Sequence, residues 1–209
     1  EKFEQQASLP EGPVLAPSFE ILPDDELVFG PSTAGLDIGK YIPDDSLLAR
    51  YQEMVDERPL SGARIIEKVA RDYSINPRLL LAVLEYRAGW VSGAGQAQSE
   101  FPLINDPDRP GLFRQLSWLA NELNRGFYTR RVGGLERFSS LDGVELITSP
   151  DANDASAALQ YALGRMLGYH DWLTAVGPLG INASYLALFG SPPESASDIT
   201  DSVGQAQPA

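Results

Sequence analysis

Between residues 46 and 190 apolar side chains recur mostly at helical spacing. Ser46 opens a run with Leu47, Leu48, Tyr51 and Val55 that predicts a helix ending before Pro59. A second helix opens at Ser61 and places Ile65, Ile66, Val69, Ala70 and Tyr73 on one face. Asn76-Pro77 starts a third, from Arg78 to Arg87, apolar almost all round, which marks a central, buried helix closed by Gly89, Gly93 and Gly95. After a polar loop from Phe101 to Pro110, a fourth helix spans about Leu112 to Phe127, with Leu112, Leu116, Leu119, Ala120 and Leu123 at helical spacing and Phe113 and Trp118 beside them. Residues 134 to 149 read as a small hairpin with Asp142-Gly143 as its turn. Ala155 to Leu167 is helical again, and short helices around Trp172 and from Ser184 to Phe189 close the domain; there is no internal repeat. The pattern predicts a mainly α domain over residues 46–190 with one small β-hairpin.

The flanks differ. Pro10, Pro13, Pro17, Pro23, Pro31 and Pro43 forbid a long helix over residues 1–45 and predict an extended arm, frayed before about residue 13. Phe19-Glu-Ile-Leu22 and Glu26-Leu-Val-Phe29 are apolar enough to lay that arm against the core. Residues 191–209 are small, polar and acidic, the composition of a linker or disordered tail leading to something further. A first residue of Glu1 rather than Met fits a processed form or a fragment.

Charge sharpens the division. The chain of 209 residues has a formal charge of −13, but ten acids against two lysines in residues 1–45 carry −8 of it, and Glu194, Asp198 and Asp201 another −3. The middle is nearly neutral. An acidic chain repels phosphate backbones, so nucleic acid is not an expected partner. The chain has no cysteine, which removes disulfides and thiolate chemistry, and only one histidine, His170, so a His-based metal centre has a single place to form. No metal or cofactor is expected. No apolar run approaches the ~18 residues that span a bilayer.

Val69-Ala-Arg-Asp-Tyr-Ser-Ile-Asn-Pro77 followed by Arg78-Leu-Leu-Leu-Ala-Val-Leu-Glu-Tyr-Arg-Ala-Gly89-Trp90 resembles the start of the lysozyme-like fold of soluble lytic transglycosylases, whose buried helix ends in Glu-Ser-Gly-aromatic. Asn153 to Tyr161 and Ala183 to Gly190 are similar to the later helices of that fold, which line its glycan cleft. The resemblance covers about residues 60–190 and implies a lysozyme-like helical domain. Leu22-Pro-Asp-Asp-Glu-Leu-Val-Phe-Gly-Pro-Ser32 also resembles the opening arm of a group of bacterial envelope proteins that often continue, after a Pro-rich linker, into a lysostaphin-type metallopeptidase domain. These likenesses imply an extracytoplasmic protein, secreted or in the cell envelope. They imply peptidoglycan or another bacterial glycan as partner, and a following metallopeptidase domain or neighbouring subunits reached through the arms.

The family's chemistry needs a carboxylic acid at the end of the buried helix to protonate a glycosidic oxygen. Ten residues on from Pro77 that position holds Arg87, which gives up no proton at physiological pH. Glu85, two residues earlier, points about 200° away around a helix of about 100° per residue. It is either a carboxylate paired with Arg87 or Arg114, or the acid of a differently built site; Glu100 in the following loop is a second possible acid. If the domain is an enzyme, it is a peptidoglycan glycosidase or lytic transglycosylase.

Between Arg109 and Arg137 stand six arginines and two glutamates, interleaved with Phe113, Trp118, Phe127 and Tyr128. That mix suits an anionic glycan or peptide stem; it also suits a solvated face onto which the acidic arm docks. Asn105-Asp106-Pro107-Asp108 reads as a turn capping the helix from Leu112 rather than a calcium loop, and His170 as a hydrogen-bonded surface group. Asn182-Ala-Ser184 is a glycosylation sequon of the kind that occurs by chance. The candidate substrate-binding set is Arg87, Trp90, Tyr161, Tyr185, Arg114 and Trp118, with Glu85 as the candidate catalytic residue. Three functions follow, with binding or scaffolding ahead: a non-cutting glycan binder, an active peptidoglycan hydrolase, or a structural subunit of an extracellular assembly.

Overall fold

Asn76 accepts a hydrogen bond from Arg78 N and Pro77 occupies the first turn, so the buried helix starts where its sequence dictates. The computed structural model describes residues 8–30, 33, 35–93 and 99–190. Val14–Leu15 form strand β1, and short 3₁₀ turns follow at Asp24–Glu26 and Ile38–Tyr41. Next come α1 (Leu47–Arg50), β2 (Gln52–Val55), β3 (Arg58–Ser61), α2 (Gly62–Tyr73) and α3 (Pro77–Ala88). The order closes with α4 (Leu112–Arg131), β4 (Arg137–Ser139), β5 (Glu145–Ile147), α5 (Asp154–Gly164), α6 (Tyr169–Ala175) and α7 (Ile181–Phe189).

The mainly α, lysozyme-like expectation is overturned. The described residues are 47% helical and 10% strand, with seven α-helices and two small sheets, a mixed α/β architecture. Two departures from the pattern account for it. The helix expected from Ser46 to Val55 stops at Arg50: Tyr51 turns extended, and β2 pairs antiparallel with β3 through Gln52–Ser61 and Val55–Arg58. Asp56 and Glu57, both at positive φ (49° and 63°), make the tight turn. The second departure is the arm, whose β1 pairs parallel with β5, completing a sheet in the order β1-β5-β4. The β4–β5 hairpin lies where alternation placed it, with Gly143 at φ 87° in its turn.

α3 is the centre of the core, with Leu79 to Leu84 fully buried. α4 and α5 pack along each other closely enough that a Cβ on Gly126 would stand 2.9 Å from Ala158 Cα. The segment before α1 is folded onto the same core. Ile21, Leu22 and Leu27 are buried. Ser156 Oγ accepts Ile21 N (2.8 Å), Asn153 donates to Leu22 O (2.7 Å), Asn182 to Ile21 O (2.8 Å) and Gln160 to Pro17 O (2.8 Å). Asp24 accepts Ala155 N at 2.8 Å, adding a second acceptor at the start of α5.

The expected docking of this arm on the basic face of residues 109–137 is also corrected. Among the described residues five of those six arginines pair with carboxylates outside the arm: Arg109 with Asp106, Arg125 with Glu122, Arg130 and Arg131 with Asp154, and Arg137 with Glu145. Among the described residues of the arm, the carboxylate that reaches an arginine is Glu26, 3.8 Å from Arg78 on α3.

Candidate functional site

Gly89 at φ 63° ends α3 and sends the chain back over the helix terminus. Trp90 then drops into the core, 1% exposed, tilted against Tyr51 with ring centroids 5.2 Å apart, and its carbonyl accepts Leu48 N. Glu85 holds this turn: its Oε2 accepts Val91 N (2.9 Å) and Ser92 N (3.0 Å), and its Oε1 accepts the Ser92 hydroxyl. The carboxylate is thus committed to backbone and hydroxyl donors, and the expected pairing with Arg87 or Arg114 is not formed.

Arg87, a little over half a turn on, points to the other side. Its Nε donates to Leu103 O at 3.0 Å. That carbonyl is held in place by Gln115 of α4, a fully buried amide that accepts Leu103 N (2.8 Å) and Ile104 N (3.2 Å) and donates to Ile104 O (2.7 Å). Nothing in the pattern singled out Gln115; a polar residue at a core-facing helical position was the available signal.

Arg87 lines a cleft of about 550 Å³, within the ~300–1,000 Å³ range of small-ligand sites. The loop wall is Ile104, Asn105, Asp106, Pro107 and Arg109; Trp118 of α4 forms the back, and Leu141, Arg165 and Met166 close the far side. Arg109, ion-paired with Asp106, lies over Trp118 with its guanidinium carbon 5.6 Å from the ring centroid. Arg165 Nε is 3.8 Å from the buried Glu122, which it shares with Arg125. The cleft therefore holds three guanidiniums against Asp106 and a part share of Glu122.

The structure brings Arg87 and Trp118 together and leaves the other candidates elsewhere. Tyr185 is in the core, 0% exposed, where its hydroxyl donates to Glu26. Burial and the adjacent Glu26 raise its pKa. Tyr161 is half-buried edge-on to Phe138 and beside Arg125. Arg114 is exposed on α4. The helices likened to glycan-cleft walls hold the arm instead, since Asn153, Ser156, Asn182 and Tyr185 all bind residues 21–26.

The loop at Asn105 to Asp108 is a turn, with Asp108 N donating to Asp106 Oδ1. It does not cap the helix after it, which has no side-chain cap of its own. That function falls to Glu53 on β2, whose Oε2 accepts Phe113 N at 3.0 Å. His170 is exposed beside Tyr169 and near Asp142. A second cavity, about 330 Å³, lies between Leu9–Pro13 and the β4–β5 turn. Its Asp142 is already engaged by Tyr169 N at the start of α6. Among the described residues no cluster of three or more His, Asp or Glu could hold a metal ion, and no helix is long and apolar enough to cross a membrane.

No curated protein and no solved structure matches the chain. The family described as the LasA N-terminal domain matches residues 20–202, from the arm through α7 and beyond. That span takes in the Leu22–Ser32 arm likened to bacterial envelope proteins, and the lysozyme-like likeness finds no such support. The chain belongs to the LasA N-terminal domain family, a family of bacterial secreted or envelope proteins.

Proposed function

We propose that this domain is a cell-wall binder that holds peptidoglycan in the Arg87–Trp118 cleft without cutting it. The observation that carries the reading is the division of labour at the end of α3: Glu85 is tied to Val91 and Ser92, while Arg87 faces the cleft. A general acid must reach the bond it protonates; here a fixed cation stands in the cleft instead. Guanidiniums and an indole suit the carboxylates and sugar or peptide faces of wall polymers. Placed at the start of a longer exported protein, such a binder would hold wall material beside a following metallopeptidase domain and raise its effective concentration there.

The test is co-sedimentation with purified peptidoglycan sacculi. Wild-type protein is expected in the pellet, with Arg87→Gln and Trp118→Ala left in the supernatant and no muropeptides released. Failure of the wild type to sediment overturns the reading. Release of muropeptides that stops in Glu85→Gln overturns it in favour of a hydrolase.

A further inference from the structure

Arg87 spends Nε on the Leu103 carbonyl, and its terminal nitrogens make no other hydrogen bond or ion pair with the described residues. Of the other two guanidiniums of the cleft, Arg109 is paired with Asp106 and lies over Trp118, and Arg165 has its Nε 3.8 Å from Glu122, a looser ion pair. The outer end of Arg87 thus presents a planar pair of donors whose natural complement is a carboxylate bound bidentately. What surrounds it is not a stacking platform. Arg109 covers part of Trp118, and Ile104, Leu141 and Met166 give the wall apolar surface beside the polar Asn105, Asp106 and Arg165. Arg109 takes up part of the indole face on which a pyranose would stack, whereas methyl-sized side chains fit against Leu141 and Met166 without loss.

Resting on the wall-binding reading, we infer that the cleft takes a short peptide by its C-terminal carboxylate, with small apolar side chains against Leu141 and Met166, and not a sugar ring. Arg87 is the carboxylate reader. Gln115 positions it by fixing the Leu103 carbonyl on which its Nε rests.

The probes are N-acetyl-Ala-Ala, its C-terminal amide, and diacetylchitobiose, titrated into the full chain. The readout is the indole N–H resonance of Trp118, since Trp90 and Trp172 are sealed in the core. The free acid is expected to shift that resonance. The amide should bind about tenfold or more weakly, the difference that losing a charge-assisted pair makes, and the disaccharide should neither shift the resonance nor displace the peptide. Arg87→Lys should weaken acid binding and Arg87→Gln should reduce it to the amide's level; the acid-against-amide comparison needs no variant. Equal binding of acid and amide, displacement by the disaccharide, or no binding of the acid overturns the inference. If sacculi sediment the protein while acid and amide bind alike, this inference falls and wall binding stands; acid-selective binding without sedimentation gives the reverse.

Discussion

Tyr185 donates a 2.5 Å hydrogen bond to Glu26, a pair 159 residues apart in sequence whose side chains are both fully buried. Asn76 donates to the same carboxylate oxygen at 2.7 Å, and Arg78 lies 3.8 Å from it. A carboxylate in the core is tolerated only when its partners are in place. Removing it leaves the tyrosine hydroxyl and one of the two Asn76 amide bonds without an acceptor, and the Arg78 guanidinium without its counter-charge. Glu26→Ala is therefore expected to cost about 3–5 kcal/mol and Tyr185→Phe about 1–2 kcal/mol, measured by urea unfolding. An effect of Glu26→Ala within about 0.5 kcal/mol, the size of a surface change, would show that the arm is not part of the cooperative unit.

The same tyrosine gives the protein an alkaline limit. Burial and the nearby Glu26 raise the Tyr185 pKa, and burial, with Glu53 alongside, pushes Tyr51 up to about 12 from an ordinary 10.0. In both cases the folded state holds its proton above the pH at which the unfolded chain releases it. Stability from these groups is then intact below about pH 10 and falls as pH rises toward the folded-state values. Thermal melts from pH 8 to 11.5 should show a flat Tm that declines above about pH 10, with a shallower decline in Tyr51→Phe and Tyr185→Phe. An unchanged slope in the double variant would assign the decline to other groups.

Local signals were legible where one residue determines the backbone. Ser61 and Asn76-Pro77 cap α2 and α3, Gly89 ends α3 in the left-handed region, and Asp142-Gly143 turns the hairpin. The β2–β3 hairpin was not legible, because Tyr51 and Val55 are four apart, a spacing that puts them on one face of a helix and equally on one face of a strand. Asp56-Glu57 is also not a turn pair that announces positive φ. The resemblance singled out Trp90 and Tyr185 as cleft residues; the sequence did not show that Trp90 would be buried against Tyr51, nor that Glu26 of the arm would cover Tyr185. Glu85 was legible as a choice between pairing and catalysis; its actual partners, two backbone amides and a serine hydroxyl six and seven residues on, depend on how the chain turns after Gly89.

Glu53 ties the unforeseen hairpin to the cleft helix. α4 begins at Gly111, at φ 86°, without a side-chain cap of its own, and Glu53 Oε2 accepts both Phe113 N (3.0 Å) and the Tyr51 hydroxyl (2.9 Å), while that hydroxyl oxygen accepts Leu112 N (3.2 Å). Glu53→Ala is expected to cost about 1–2 kcal/mol, as loss of a helix cap does, and Glu53→Gln less, since an acceptor remains. Gly111→Ala should be at least as damaging, because the added Cβ meets the Glu53 carboxylate and the φ is left-handed. Chemical denaturation of the three variants checks the order; equal stability of Glu53→Ala and wild type would mean that solvent caps α4 as well as Glu53 does.

Gln115 separates holding the cleft from holding the fold. Its amide satisfies three backbone groups of Leu103 and Ile104, and Leu103 O is the acceptor that orients Arg87. Gln115→Met keeps the volume and removes all three bonds, so about 2–3 kcal/mol of stability should go, the loss expected when buried backbone groups go unpaired. At temperatures where the variant is still folded, sacculus binding should fall as well, since Arg87 no longer has a fixed acceptor. Arg87→Gln should add little to that loss, giving a coupling between the two positions that distant residues do not show. Full additivity of the two substitutions in the sedimentation assay would mean that Gln115 supports the core alone and that Arg87 finds its orientation without it.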